Sequence, residues 1–259
     1  MANLRFLFDY ARYFLRAKTR HGVHSPFVYK LIDEVIYDRA PKTDYALPEN
    51  IRREMLADPR TIEVTDLGAG SGKNKTKQRR VADIARHALK PPKMAQLLYR
   101  LARFHQPENL VELGTCLGTT TVYLRQAAPE ARIYTLEGCP NTASVAQKNI
   151  GEKGTVELIT GNFDDTLPPM IAREQKLDFV FIDGNHRYEP TLRYFSWILP
   201  KLHESSLVIF DDIYWSAEMK RAWANIKAHP DVTLTIDLFW IGLVYFRKGR
   251  EKEHFTVRY

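Results

Sequence analysis

The sequence predicts an α/β fold built on a mostly parallel sheet with helices on both faces. Strand-length apolar runs at residues 109–113, 132–137, 155–160, 177–183 and 205–211 alternate with periodic helical segments near 119–128, 140–150, 188–200 and 216–228. Acidic residues close these runs repeatedly, at Glu137, Asp183, Asp211 and Asp212. The first run ends in a glycine bend, Gly114 to Gly118. In parallel sheets ligands bind beyond the carboxyl ends of the strands, so these residues line a crevice.

The first strand and its bend organise the rest. Residues 109–121 read Asn-Leu-Val-Glu-Leu-Gly-Thr-Cys-Leu-Gly-Thr-Thr-Thr. Glycine lets the backbone turn sharply and approach a nucleotide-like ligand, and the threonines from Thr119 are candidate caps for the next helix. Glu112 lies inside the apolar strand, where a carboxylate is costly without donors or a cation. Glu137 follows Gly114 by 23 residues. That is close to the roughly 20-residue offset at which a carboxylate grips ribose hydroxyls in a βαβ unit. The nicotinamide fingerprint is not met, because Cys116 and Thr119 occupy its later glycine positions.

The run Glu-Leu-Gly-Thr-x-x-Gly at 112–118 resembles motif I of the class I S-adenosylmethionine-dependent methyltransferases. It is most similar to the branch of catechol and caffeoyl-CoA O-methyltransferases, where the middle glycine is often replaced, as here by Cys116. The resemblance covers residues 90–248. It implies a Rossmann-like seven-stranded sheet of order 3-2-1-4-5-7-6, with residues 90–259 as the methyltransferase domain and 1–89 as a helical and irregular extension. The last two strands, 232–240 and 243–247, are joined too closely for a crossover helix and form an antiparallel pair. The implied cofactor is S-adenosyl-L-methionine, held by Glu112, Gly114, Cys116, Gly118, Thr120, Glu137, Phe163, Asp164 and Asp183. Phe163 would lie against the adenine face and Asp164 toward its amine, from a loop at 161–164.

The stretch Asp183-Gly-Asn-His-Arg-Tyr resembles motif IV of the same branch. Asp183 would stand beside the donor methyl and the accepting oxygen. His186 occupies the position where catechol-type enzymes carry lysine, and a histidine there takes a hydroxyl proton near neutrality. Asp211-Asp212 replaces an Asp-Asn pair of the metal-dependent members. With Asp183 they form an oxygen-donor set for Mg2+ or another divalent cation; the alternative is that Asp212 caps the following helix. The implied activity is methylation of an oxygen on a small molecule. Two alternatives stay open: an RNA or protein acceptor, and a binding module without turnover.

The N-terminal part carries most of the formal charge of +7. Residues 73–80 form a polar basic octet, read as a flexible flap and the natural contact for nucleic acid. The run at 62–72 contains Gly68, Gly70 and Gly72 but lacks a following strand with an acidic end, so it ranks behind 114–118 as the cofactor bend. Residues 3–17 read as an amphipathic helix whose apolar stripe suits the main domain or a second subunit of a homo-oligomer, with a membrane surface or nucleic acid as the alternative partner. His21 and His24 lack partners for a metal set. Cys116 and Cys139 read as reduced apolar residues. No apolar run spans a membrane and no secretory leader is visible, so the expectation is a cytoplasmic protein.

Overall fold

The computed structural model describes residues 4–65, 77–152, 154–249 and 251–259. They form two compact units, 1–38 with 176–259, and 39–175. Neither boundary falls at the 89/90 division expected from the resemblance. The first unit opens with α1 (Leu4–Arg16) and α2 (Pro26–Leu31), the latter widening into a π turn over Ile32–Ile36. Pro26 suits the first helical position, which needs no N–H.

The second unit begins with α3 (Ala46–Ala57) and a small antiparallel ribbon, β1 (Thr61–Glu63) with β2 (Gln78–Arg80). Residues 78–80 are therefore strand, a correction to the flap reading of 73–80. Residues 73–76 of that octet and the glycines at 68–72 lie outside the described residues. Helix α4 (Val81–Ala88) packs its buried Val81 and Ala85 with Ile51 and Met55 of α3.

Helix α5 (Pro92–His105) ends at Gln106, in the left-handed conformation. Burial pulls the His105 pKa down to about 4 from its ordinary 6.5. The folded state thus holds this ring neutral, while the unfolded chain protonates below about 6.5. Its contribution is present above that pH and is lost as pH falls toward 4. The ring is only half-buried, so solvent screening limits the loss to roughly 1 kcal/mol at pH 5. Urea titrations at pH 7 and pH 5 should show a smaller difference for His105→Gln than for the natural chain.

Alternation then sets in: β3 (Asn109–Leu113), α6 (Thr119–Ala127), β4 (Arg132–Glu137), α7 (Pro140–Ile150), β5 (Val156–Thr160) and α8 (Phe163–Ala172). The strands pair in parallel in the order β3-β4-β5, with Glu112 opposite Thr135 and Glu137 opposite Thr160. Leu110 to Leu113 are fully buried, as in strands covered on both faces. Helix α8 corrects the loop reading at 161–164. Asn162 caps it, its side chain accepting from the Asp164 N–H at 3.2 Å, and two carboxylates occupy the first turn.

The first unit resumes with β6 (Phe179–Ile182), α9 (Tyr188–Ile198), β7 (Leu207–Asp211), α10 (Ala217–Ala228), β8 (Leu234–Asp237), β9 (Ile241–Tyr245) and β10 (Glu253–Thr256). Its strand order is β10-β8-β9-β7-β6. β6 and β7 are parallel, and β9 runs antiparallel to both β7 and β8, as the short connection requires. β10 lies parallel to β8 at the edge, so the expected count of seven strands is corrected upward. The first of the expected antiparallel strands stops at Asp237, because Phe239 adopts a left-handed φ of 70°. Asp237 accepts from the Phe239 N–H, the Tyr214 hydroxyl and the Trp223 indole, a full set of donors for a buried carboxylate. The α/β class and Rossmann-like alternation of strand and helix hold throughout. Among the described residues no helix is long and apolar enough to cross a membrane.

Candidate functional site

In the second unit, the parallel register brings the ends of β3, β4 and β5 to one edge. The bend after β3 is tied to the neighbouring strand, with the N–H groups of Gly114 and Thr115 both reaching the Leu136 carbonyl, at 2.9 and 3.1 Å. Gly114, Cys116 and Gly118 all have positive φ, at 102°, 51° and 80°. A side chain at Gly118 would stand 3.2 Å from the Ala146 carbonyl oxygen and 3.2 Å from Ile150, so the bend also packs closely on α7.

Glu137 closes β4 and is fixed by the same bend. One carboxylate oxygen accepts from the Cys116 N–H at 2.8 Å and the other from the Cys139 N–H at 2.9 Å. A carboxylate so held keeps lone pairs for two hydroxyl donors at a fixed orientation. The segment after β1 comes to the same place: the Thr65 N–H reaches the Cys139 sulfur, and Asn141 donates to the Glu63 carbonyl at 2.8 Å. Both cysteines are free thiols. This contact had no signal in the sequence, since the glycine pattern near 62–72 drew attention away from residues 63–65.

Glu112 lies elsewhere than the crevice mouth. It is fully buried, and one oxygen accepts from the hydroxyls of Thr121 and Thr135, at 2.5 and 2.7 Å. Thr135 in turn meets the Thr115 hydroxyl at 2.6 Å. Glu112 therefore couples the start of α6 to β4 and to the bend from inside. Thr120 is buried in the first turn of α6. No threonine caps that helix: Gly118 is the cap residue and makes no side-chain bond. Phe163 and Asp164, both half-buried, sit in the first turn of α8, just past β5 beside the β4 end.

The first unit holds a second cluster. Asp183, His186 and Asp211 offer ligand atoms that all lie within 4.8 Å of one another. The His186 Nε2 is 3.5 Å from Asp183 Oδ1, an ion-pair distance rather than a good hydrogen bond. The loop that brings them together is unusual, because Asn185 and His186 both have positive φ, at 68° and 35°. Such backbone clusters at functional sites. Asn185 is anchored by donating to the Tyr194 hydroxyl at 3.0 Å, while its Oδ1 is buried with no hydrogen-bond partner. Asp212, with φ 53°, is not in the ligand group. Nor does it cap α10, which is capped by Ser216 accepting from the Met219 N–H. Tyr214 stacks on Phe239 at 4.9 Å, whereas Trp215 is 62% exposed.

Comparisons with known proteins bear on family and fold. Residues 111–213 match a family model described as a methyltransferase domain. The chain is 35% identical over 127 residues to a catechol O-methyltransferase of Niastella koreensis, covering 47% of this chain and 57% of that one. It is 32% identical over 122 residues to a catechol O-methyltransferase of Mycobacterium tuberculosis, covering 46% and 54%. The chain thus spans a little over half the length of these curated relatives. In fold it is similar to an O-methyltransferase from Bacillus cereus solved in complex with SAH, with a TM-score of 0.57 and 21% identity over 80% of this chain and 93% of that one. The resemblance read from residues 112–118 is thus matched by the comparisons: residues 111–213 are similar to a methyltransferase domain, and the chain is similar to catechol O-methyltransferases in sequence and to an O-methyltransferase in fold.

Proposed function

We propose that the protein transfers a methyl group from S-adenosyl-L-methionine to an oxygen of a small molecule. The observation that carries this reading is Glu137, a strand-end carboxylate locked by two backbone N–H groups beside a glycine bend. In this reading Glu137 grips the ribose of the donor, the bend at Gly114, Cys116 and Gly118 lets the backbone approach it, and Phe163 and Asp164 meet the adenine. Thr120 lies in the uncapped first turn of α6, where free N–H groups favour a carboxylate. Glu112 acts as a positioning residue from within.

When bound, the donor supplies a methyl group already activated by its positive sulfonium. The chain's own task is to align the acceptor oxygen and take its proton. His186 receives that proton in this reading, as the O–CH3 bond forms and the S–CH3 bond breaks. Asp183 and Asp211 orient the acceptor.

These residues also fit a divalent cation. Two ligands of one ion, each at about 2.1–2.4 Å, stand no more than roughly 4.8 Å apart, and the three donors meet that limit. The orphaned Asn185 Oδ1 adds an oxygen in the same loop. Among the ions that carboxylates suit, the imidazole favours Mn2+, which accepts nitrogen ligands more readily than Mg2+ does. A bound cation would occupy the His186 lone pair and lower the acceptor's pKa in its place, the proton then leaving to solvent; His186 serves as the base only where no metal is bound.

The test is incubation with methyl-labelled S-adenosylmethionine and a panel of catechols and other hydroxylated acceptors, with EDTA and with added Mg2+ or Mn2+. Labelled methyl ether and S-adenosylhomocysteine are the expected products, with loss in EDTA and better restoration by Mn2+. Tight donor binding without transfer to any acceptor would leave a binding module instead, and label in RNA or protein would move the acceptor class.

A further inference from the structure

Helix α1 presents three different sides. At about 100° per residue, Phe6, Tyr10 and Tyr13 share the first. That side is docked within its own unit: Phe6 and Tyr10 meet the Phe239 ring at 5.1 and 5.0 Å, and the Tyr13 hydroxyl donates to the Val257 carbonyl at 2.5 Å. Leu4, Leu7, Phe8, Ala11 and Leu15 share the second side, at spacings of three and four residues. None of it is covered: Leu4 is 84% exposed, Phe8 68% and Leu15 85%. Arg5, Arg12 and Arg16 form the third side and border the apolar strip along one flank. Toward the other flank Arg258 lies over the Phe14 ring at 4.1 Å and donates to the Phe14 carbonyl. The helix has one carboxylate, Asp9, and that is held by Lys220 at 2.6 Å.

An exposed apolar strip edged by guanidinium groups, with its acid neutralised, matches one kind of surface. We propose that α1 lays this side on an anionic phospholipid membrane, the leucines and Phe8 entering the headgroup boundary and the arginines meeting lipid phosphates. At 13 residues the helix is too short to cross a bilayer, which needs about 20. A second copy of this chain would bring the same guanidinium groups to the contact, whereas an anionic surface brings the opposite charge. The docking of Phe6, Tyr10 and Tyr13 leaves the strip fixed in place, so no ordering of the helix is needed on binding.

The test is co-sedimentation of the full chain with vesicles of phosphatidylcholine alone, or with roughly a third phosphatidylserine. Binding is expected to the anionic vesicles, weakening as salt rises. Arg12→Gln with Arg16→Gln should reduce it by roughly fivefold per charge. Leu7→Ser with Phe8→Ser should reduce it at least tenfold, on the order of the loss of two buried apolar side chains. Both pairs change exposed side chains, and unchanged thermal melting confirms the fold. Absence of binding to anionic vesicles at low salt overturns the proposal, as does binding that ignores the Leu7 and Phe8 changes. A dimer in sedimentation velocity that the same two serines dissociate, in place of vesicle binding, assigns the strip to a second copy and also overturns it.

Discussion

Replacing Glu137 by glutamine is expected to weaken S-adenosylmethionine binding by at least a hundredfold, on the order of 3 kcal/mol. Two hydroxyl-to-carboxylate bonds of roughly 1.5–3 kcal/mol each justify that size. Isothermal titration of the donor measures it. Alanine at this position is a poorer choice. It would leave the Cys116 and Cys139 N–H groups without their acceptor and cost the fold about 1–2 kcal/mol as well. Glutamine keeps one oxygen for a backbone donor while removing the charge. Unchanged affinity in a folded Glu137→Gln protein would end the ribose assignment.

Asp211→Asn should separate catalysis from donor binding. Turnover is expected to fall on the order of 10² to 10³, the size typical of losing one electrostatic contributor at a reacting centre. The dissociation constant for the donor should stay within about twofold. A second readout concerns stability without divalent ions. Asp183 and Asp211 stand within the 4.8 Å group, and two carboxylates so close repel each other. Neutralising the buried one should stabilise the metal-free fold on the order of 1 kcal/mol, seen as a higher melting temperature in EDTA. An Asp211→Asn protein with full turnover, in an enzyme indifferent to EDTA, would remove both the cation and the role of this residue.

The parts of the candidate site legible in the sequence are those carried by local pattern. The apolar run into Gly114, and Glu137 at the end of the next run, follow from spacing along adjacent elements. The same holds for Asp183, which directly follows β6. What stayed hidden depended on geometry that spacing does not encode. Helix α8 contains Pro168 and Pro169, which argue against a helix, yet Asn162 and the acids of its first turn establish it first. Strand β10 is short and polar, with Glu253 and His254 exposed, so it lacks the alternation that marks a strand. Asp211 and Asp212 look equivalent as letters. The structure gives the first a buried strand position and the second a left-handed turn, and sets His186 beside Asp183 and Asp211 instead. That exchange depends on two consecutive positive φ values at Asn185 and His186, which neither residue type announces. The buried threonine network around Glu112 was equally silent: each threonine looks like a helix cap or a strand filler until the register sets Thr135 opposite Glu112.

The clasp between residues 13–18 and 257–258 has a consequence for biosynthesis. Val257 bridges to Lys18, Tyr13 bonds the Val257 carbonyl, and Arg258 covers Phe14, all within the unit formed by residues 1–38 and 176–259. Residues 4–18 are thus synthesised long before the segment at 253–258 on which they close. At roughly 5–20 residues per second, on the order of ten seconds or more pass before their partner strands leave the ribosome. During that interval the oily side of the opening helix has no home in its own chain, and nascent-chain chaperones are its natural guardians.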